Sequence, residues 1–115
     1  MSRSSTQGDT AGQDPAARLA AHLATLPRIR RRDTGDGSVW RVDGRLVARI
    51  AADGRWIIRC DRERRDDLLA RHPRVFGVRP RLEAHDKIEA YPEEAGDLTV
   101  IQDVLDAAWR RQKKH

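Results

Sequence analysis

The chain has 115 residues, a formal net charge of +5 and a sequence pI near 10.3. This length allows one domain of about a hundred residues around a single core. No apolar run approaches the roughly eighteen residues of a membrane span, and the polar start lacks the apolar stretch of a signal peptide. We therefore expect a cytoplasmic protein with no membrane partner. The single cysteine, Cys60, excludes an intrachain disulfide and a cysteine-based zinc site.

The basic residues number 23, and all but Lys87, Lys113 and Lys114 are arginines. A basic surface attracts phosphate polyanions and repels free metal cations. A strong preference for arginine also arises in a GC-rich genome. Composition therefore favours nucleic acid as a partner only weakly.

Residues 1–13 are polar and offer almost nothing to bury, so we predict a disordered tail there. Asp14 and Pro15 then form a typical helix start, an N-cap followed by proline at the first helical position. Three leucines recur at helical spacing up to Pro27: Leu19, Leu23 and Leu26. The spacing predicts a helix with one apolar stripe.

A loop is predicted after this helix, and it holds four arginines: Arg28, Arg30, Arg31 and Arg32. Their planar guanidinium groups match phosphate oxygens and could hold a nucleic-acid backbone. The alternative is a solvated loop in which these arginines pair with Asp33 and Asp36.

The segment from Val39 to Cys60 has the strongest pattern in the chain. Asp43-Gly44 and Asp53-Gly54 are hairpin turn signals between runs rich in Val, Ile, Leu and Trp, and they predict a three-stranded antiparallel meander. Two-residue turns predict these cross-strand pairs: Trp40 with Val47, Arg41 with Leu46, and Ile50 with Ile57.

An antiparallel sheet usually buries one face, and we predict that the tryptophan face is the buried one. Its predicted residues are Trp40, Val42, Val47, Ala51, Trp56, Ile58 and Cys60, interrupted by Arg45 and Arg49. The opposite, open face is predicted to carry Val39, Leu46, Ala48, Ile50 and Ile57, interrupted by Arg41, Arg55 and Arg59. A protein partner, a second copy or a flexible nucleic-acid strand could cover that face.

The remaining elements are a helix, two short strands and a final helix: Arg62 to His72, Val75 to Val78, Lys87 to Tyr91, and a segment whose apolar stripe runs from Leu98 to Trp109. Asp61 is the expected N-cap of the first, and Thr99 with Gln102 forms a capping box for the last. The predicted domain spans residues 14–112, followed by a basic end at 113–115.

Three segments resemble the MmcQ/YjbR family of small bacterial proteins: Trp40 to Ala48, Asp61 to Leu69 leading to His72-Pro73, and Leu105 to Arg110. The resemblance implies a frataxin-like "double wing" α+β fold. In that fold an antiparallel β-sheet has the N- and C-terminal helices packed on one face. It also implies a DNA-binding role. The family's Gly-Trp stretch before the final strand is replaced here by residues 82–86. The resemblance therefore assigns no ligand or DNA contact to these residues.

No pattern in the sequence indicates catalysis. The histidines are dispersed, and the only one with possible ligands beside it is His85, between Glu83 and Asp86. A zinc or iron site needs three ligands that converge on one point, and the spacing of these three neighbours does not indicate such convergence. Glycine-rich phosphate loops, nucleophile elbows and paired carboxylates are also lacking. We therefore expect a non-enzymatic protein without a metal or cofactor.

The sequence leads to a first hypothesis, weak and phosphate-directed DNA binding. Its contact residues would be Arg28, Arg30, Arg31 and Arg32, with Arg41, Arg55 and Arg59 as a second group. The alternative hypothesis is a protein-interaction module or homodimer that uses the open sheet face.

Overall fold

The computed structural model describes residues 14–80 and 85–114. It is an α+β domain with a six-stranded antiparallel sheet in the order β1-β2-β3-β4-β6-β5. The elements are α1 Pro15–Ala24, β1 Ile29–Thr34, β2 Gly37–Val42, β3 Arg45–Ile50, β4 Trp56–Arg59, α2 Arg62–Arg71, β5 Phe76–Gly77, β6 Lys87–Ala90, a 3₁₀ turn Ala95–Asp97 and α3 Leu98–Gln112. The expected tail at 1–13 lies outside the described residues.

Short-range signals set the starts of the first two helices. The Asp14 carboxylate accepts a hydrogen bond from the backbone N–H of Ala17 at 2.7 Å, and Asp61 does the same for Arg64 at 2.8 Å. The expected capping box at the start of α3 is wrong. The box lies earlier, between Glu94 and Asp97, because a 3₁₀ turn precedes the helix and takes the capping interaction.

The tryptophan face is buried, as predicted. Trp40 stacks on Trp56 with ring centroids 5.0 Å apart. Residues from all three helices join these rings in one core cluster, among them Leu19 and Leu23 of α1, Leu68 of α2, and Ile101 and Leu105 of α3. The packing of the terminal helices on one face of an antiparallel sheet is therefore confirmed.

The loop prediction holds for Arg28, which lies in a turn, but is wrong for Arg30, Arg31 and Arg32, since they form part of strand β1. It pairs with β2 in continuous register, from Ile29 opposite Val42 to Thr34 opposite Gly37. Ile29 packs against the core, and the residues after it are exposed. An edge strand tolerates this many charges because its outer side faces solvent, so its sequence lacks the apolar pattern of an inner strand.

A β-bulge changes the predicted register of β3. Arg41 pairs with Leu46 as predicted, but Trp40 pairs with Ala48 and not with Val47. Both Val47 and Ala48 are consequently buried on the core side. An extra residue in one strand shifts the alternation of everything after it, and Arg49 moves from the predicted core face to the open face.

The second hairpin also departs from the predicted two-residue turn. Ala51 donates its N–H to the carbonyl of Arg55 at 2.9 Å, which leaves a three-residue loop. Ile50 therefore pairs with Trp56 on the core side, and Arg49 pairs with Ile57.

Candidate phosphate-binding face

Six basic side chains that belong to the strands lie on the open face, the face of the sheet that is turned away from the helices. Directly opposed residues of an antiparallel pair share a face, so this set follows from the register. We call it the cationic face, and its members are Arg30 and Arg32 of β1, Arg41 of β2, Arg49 of β3, Arg59 of β4 and Lys87 of β6.

Two pairs within the cationic face bring like charges into direct opposition. Arg30 is paired with Arg41, and Arg59 with Lys87. None of the six side chains forms an ion pair or hydrogen bond with another residue in the described ranges, and the Nε of Arg59 is buried without a partner. Like charges opposed across strands destabilise a sheet. The arrangement therefore leaves positive charge that a bound anion would neutralise.

The pKa of Lys87 is lowered by its surroundings on this face. Partial burial lowers it below its usual 10.5, and the charges of Arg59 and Arg49 lower it further. The two guanidinium groups thus act on the same ammonium from neighbouring strands. An anion bound above them would oppose the effect of the two guanidinium charges on the pKa of Lys87.

A groove continues the cationic face to the edge of the sheet. Its volume is about 680 Å³, and it runs along β1, with Arg30, Arg32 and Arg41 among its lining residues. Arg30 and Arg32 are exposed, as is Arg41, so an extended anion could reach all three.

Arg28 does not belong to the cationic face, because a carboxylate pairs with its side chain. Its guanidinium group donates to Asp43 through Nε at 3.1 Å and through Nη2 at 2.9 Å. This pairing, together with a hydrogen bond from the backbone N–H of Lys114, holds the pKa of Asp43 below its usual range. Arg28 thus joins the β2–β3 turn to the end of the chain.

Arg31 points to the opposite side of β1 from its two neighbours, because side chains alternate along a strand. It lies over the Trp40 ring at 5.2 Å and donates to Asp33 at 2.8 Å and to Ser38 at 3.2 Å. The alternative of pairing with Asp33 therefore holds for Arg31. Strand geometry divides the run of arginines that the sequence grouped together.

Arg55, the last of the sequence-based candidates, is held by carboxylates. Its Nη1 donates to Asp53 at 2.7 Å, and its Nε lies 3.4 Å from Glu89. Arg79 contacts the same two carboxylates at 3.3 and 3.5 Å. We call this closed set of Asp53, Arg55, Arg79 and Glu89 the carboxylate–guanidinium ring.

Glu89 is the centre of the ring and is fully buried, on the open face of β6 opposite Ile57. Tyr91 donates its hydroxyl to Glu89 Oε1 at 2.7 Å. Burial and this hydrogen bond raise the pKa of Tyr91, which keeps the donor proton in place. The ring therefore balances two carboxylates with two guanidinium groups, although Arg55 Nε and Glu89 Oε2 are buried without a hydrogen-bond partner in the described structure.

Sequence reasoning missed Arg49, Lys87 and Glu89. To predict Arg49 on the open face, one must know of the bulge, which has no reliable sequence signal. To predict Lys87 and Glu89 as part of this face, one must know that β6 pairs with β4. Alternation within Lys87–Ala90 does place Lys87 and Glu89 on one face, but it cannot identify the neighbouring strand.

Within residues 14–80 and 85–114, no group of three His, Cys, Asp or Glu side chains could hold a metal ion. His22 instead pairs with Asp106 at 2.7 Å, and Asp86 accepts hydrogen bonds from Arg62 and Arg111. Glu83, of the predicted donor neighbours, lies outside the described residues. In the same described ranges no helix has the length and apolar character needed to cross a membrane.

Comparison with known proteins supports the fold. No family model matches the sequence, and no curated protein sequence matches it. Among solved structures, the crystal structure of Deinococcus radiodurans protein DR2400, with a DUF419 domain, is similar with a TM-score of 0.68. The match covers 87% of this chain and 78% of that chain at 17% sequence identity, which shows the fold alone. DUF419 is the MmcQ/YjbR-like family, so the fold implied by the resemblance is confirmed.

Proposed function

We propose that this protein binds nucleic acid, with DNA as the first candidate, through phosphate contacts on the cationic face. One observation carries the proposal: basic side chains without ionic partners converge from five neighbouring strands, and two pairs of them oppose each other directly. We further propose that the chain is a cytoplasmic, non-enzymatic member of the MmcQ/YjbR-like family, in agreement with its fold.

Phosphate recognition accounts for the residue types on this face. A guanidinium group donates in a planar fork that matches two phosphate oxygens, and each neutralised phosphate releases condensed counterions. Such binding depends steeply on salt and carries little sequence information. It is therefore weak at physiological ionic strength.

The alternative of a homodimer through the same face is electrostatically unfavourable. A twofold interface brings one patch against its own copy, so each cationic face would meet another cationic face. A protein partner would need a matching acidic surface. The charge of the face thus favours a polyanion over a second copy.

The test is a fluorescence-anisotropy titration of random-sequence DNA at several salt concentrations. The variant R30A/R32A/R41A should bind more weakly, and the slope of log affinity against log salt should fall by roughly two to three units. The matched control R18A/R74A/R110A removes the same charge from exposed arginines outside the sheet and should retain the wild-type slope.

Three results would reject the proposal. These are a lack of binding at low ionic strength, an affinity independent of salt, and an equal loss in the control variant. Sedimentation that shows a salt-insensitive dimer would instead support the interaction-module alternative.

A further inference from the structure

We infer that the ligand of the cationic face is a single strand of nucleic acid lying across the β-strands, in preference to a duplex. This inference rests on the proposed function, because it names the form of nucleic acid that the same site takes.

The width of the cationic face favours a single strand. Its side chains extend from β1 to β6 across five adjacent strands, which corresponds to about 19 Å at the usual strand spacing. The major groove of a duplex is about 12 Å wide and admits a two-stranded ribbon. If the β1–β2 ribbon entered that groove, Arg49, Arg59 and Lys87 would remain on strands outside it. A flexible strand can instead follow the whole row.

Apolar side chains between the cations supply the second argument. Val39 lies between Arg32 and Arg49 in the register, and Leu46 is opposite Arg41. Both apolar side chains are half-buried. A base that is not enclosed in a duplex can contact such side chains and stack on guanidinium planes. A duplex, by contrast, presents its phosphates and keeps its bases inside.

The position of the large aromatic residues limits specificity. Trp40 and Trp56 are buried on the core side of the sheet, so they provide no stacking platform for bases on the cationic face. Recognition then depends on phosphate charge, apolar contact and guanidinium stacking, which are available for every base. We expect single-strand binding with little sequence preference.

The experiment compares three labelled ligands at low salt: a twelve-nucleotide thymidine strand, a hairpin duplex with the same number of phosphates, and inorganic polyphosphate of similar length. The thymidine strand should bind about tenfold more tightly than the duplex. The variant V39T/L46T keeps the charge and the strand propensity. It should weaken thymidine-strand binding several-fold and leave polyphosphate binding unchanged. Thermal unfolding of the variant verifies that it folds.

Each outcome has a distinct meaning. Equal or tighter binding of the duplex would overturn this inference and leave the proposed function in place. Polyphosphate binding as tight as that of the thymidine strand, with no effect of V39T/L46T, would also overturn it, because the bases would then make no contact. Failure of all three ligands to bind would reject the proposed function itself.

Discussion

The open face has two halves, the cationic face and the carboxylate–guanidinium ring, which both carry arginines but use them differently. Near β1, β2 and β3 the guanidinium groups of Arg30, Arg32 and Arg41 have no carboxylate within the described structure, whereas Arg55 and Arg79 are enclosed in the carboxylate–guanidinium ring. The difference is due largely to one residue, Glu89. An arginine on this face is structural where a buried carboxylate reaches it and is free to bind where none does.

The energetics of the two halves differ accordingly. A buried carboxylate is tolerated only when it is paired, so Glu89 holds its partners in fixed positions. The exposed guanidinium groups opposite each other on β1 and β2 repel, and nothing in the described chain offsets that repulsion. The carboxylate–guanidinium ring favours stability, whereas the cationic face gives up stability for a surface that attracts anions.

The largest expected effect comes from removing the carboxylate. Glu89→Gln should lower the free energy of unfolding by about 3 kcal/mol, because it leaves Arg55 partly buried with one partner fewer. Urea denaturation measures this change. The same variant releases positive charge on the open face, so DNA affinity at low salt should rise.

Glu63→Gln is the matched control, since Glu63 is exposed on α2. It should change stability by less than about 0.5 kcal/mol. If E89Q were as stable as the wild type, the distinction between the two halves would fail.

A smaller effect of opposite sign is expected in the cationic half. Arg30→Glu turns a repulsive cross-strand pair with Arg41 into an attractive one and should raise stability by about 0.5 kcal/mol. DNA affinity should fall about tenfold in the same variant, because one phosphate contact is replaced by a repulsive charge. Parallel denaturation and anisotropy measurements test both. Loss of stability together with affinity would indicate that Arg30 has a structural role.

The smallest expected effect is the pH dependence that the ring carboxylate Asp53 contributes. Hydrogen bonds from the backbone and side chain of Arg55 lower the pKa of Asp53 below 3.8. The stability that Asp53 contributes is therefore present above pH 3.8 and is lost as the pH falls through its lower folded value. Urea midpoints of wild type and Asp53→Asn, measured from pH 6 to 3, should converge at the acid end. Parallel curves would contradict the assignment of Asp53 to the ring.

The sequence by itself determined the elements that depend on neighbouring residues. The N-caps at Asp14 and Asp61, the turn at Asp43-Gly44 and the burial of the tryptophan face all follow from short-range rules. The presence of arginines on the open face was also predictable, because alternation in β2 and β4 places Arg41 and Arg59 there.

Only the tertiary structure decided which arginines are free. The bulge opposite Trp40 moved Arg49 to the open face, and pairing of β6 with β4 brought Lys87 beside Arg59 and Glu89 beside Ile57. Local patterns specify which way a side chain points within its own strand. They do not specify the neighbouring strand, because that choice depends on contacts between residues far apart in the chain.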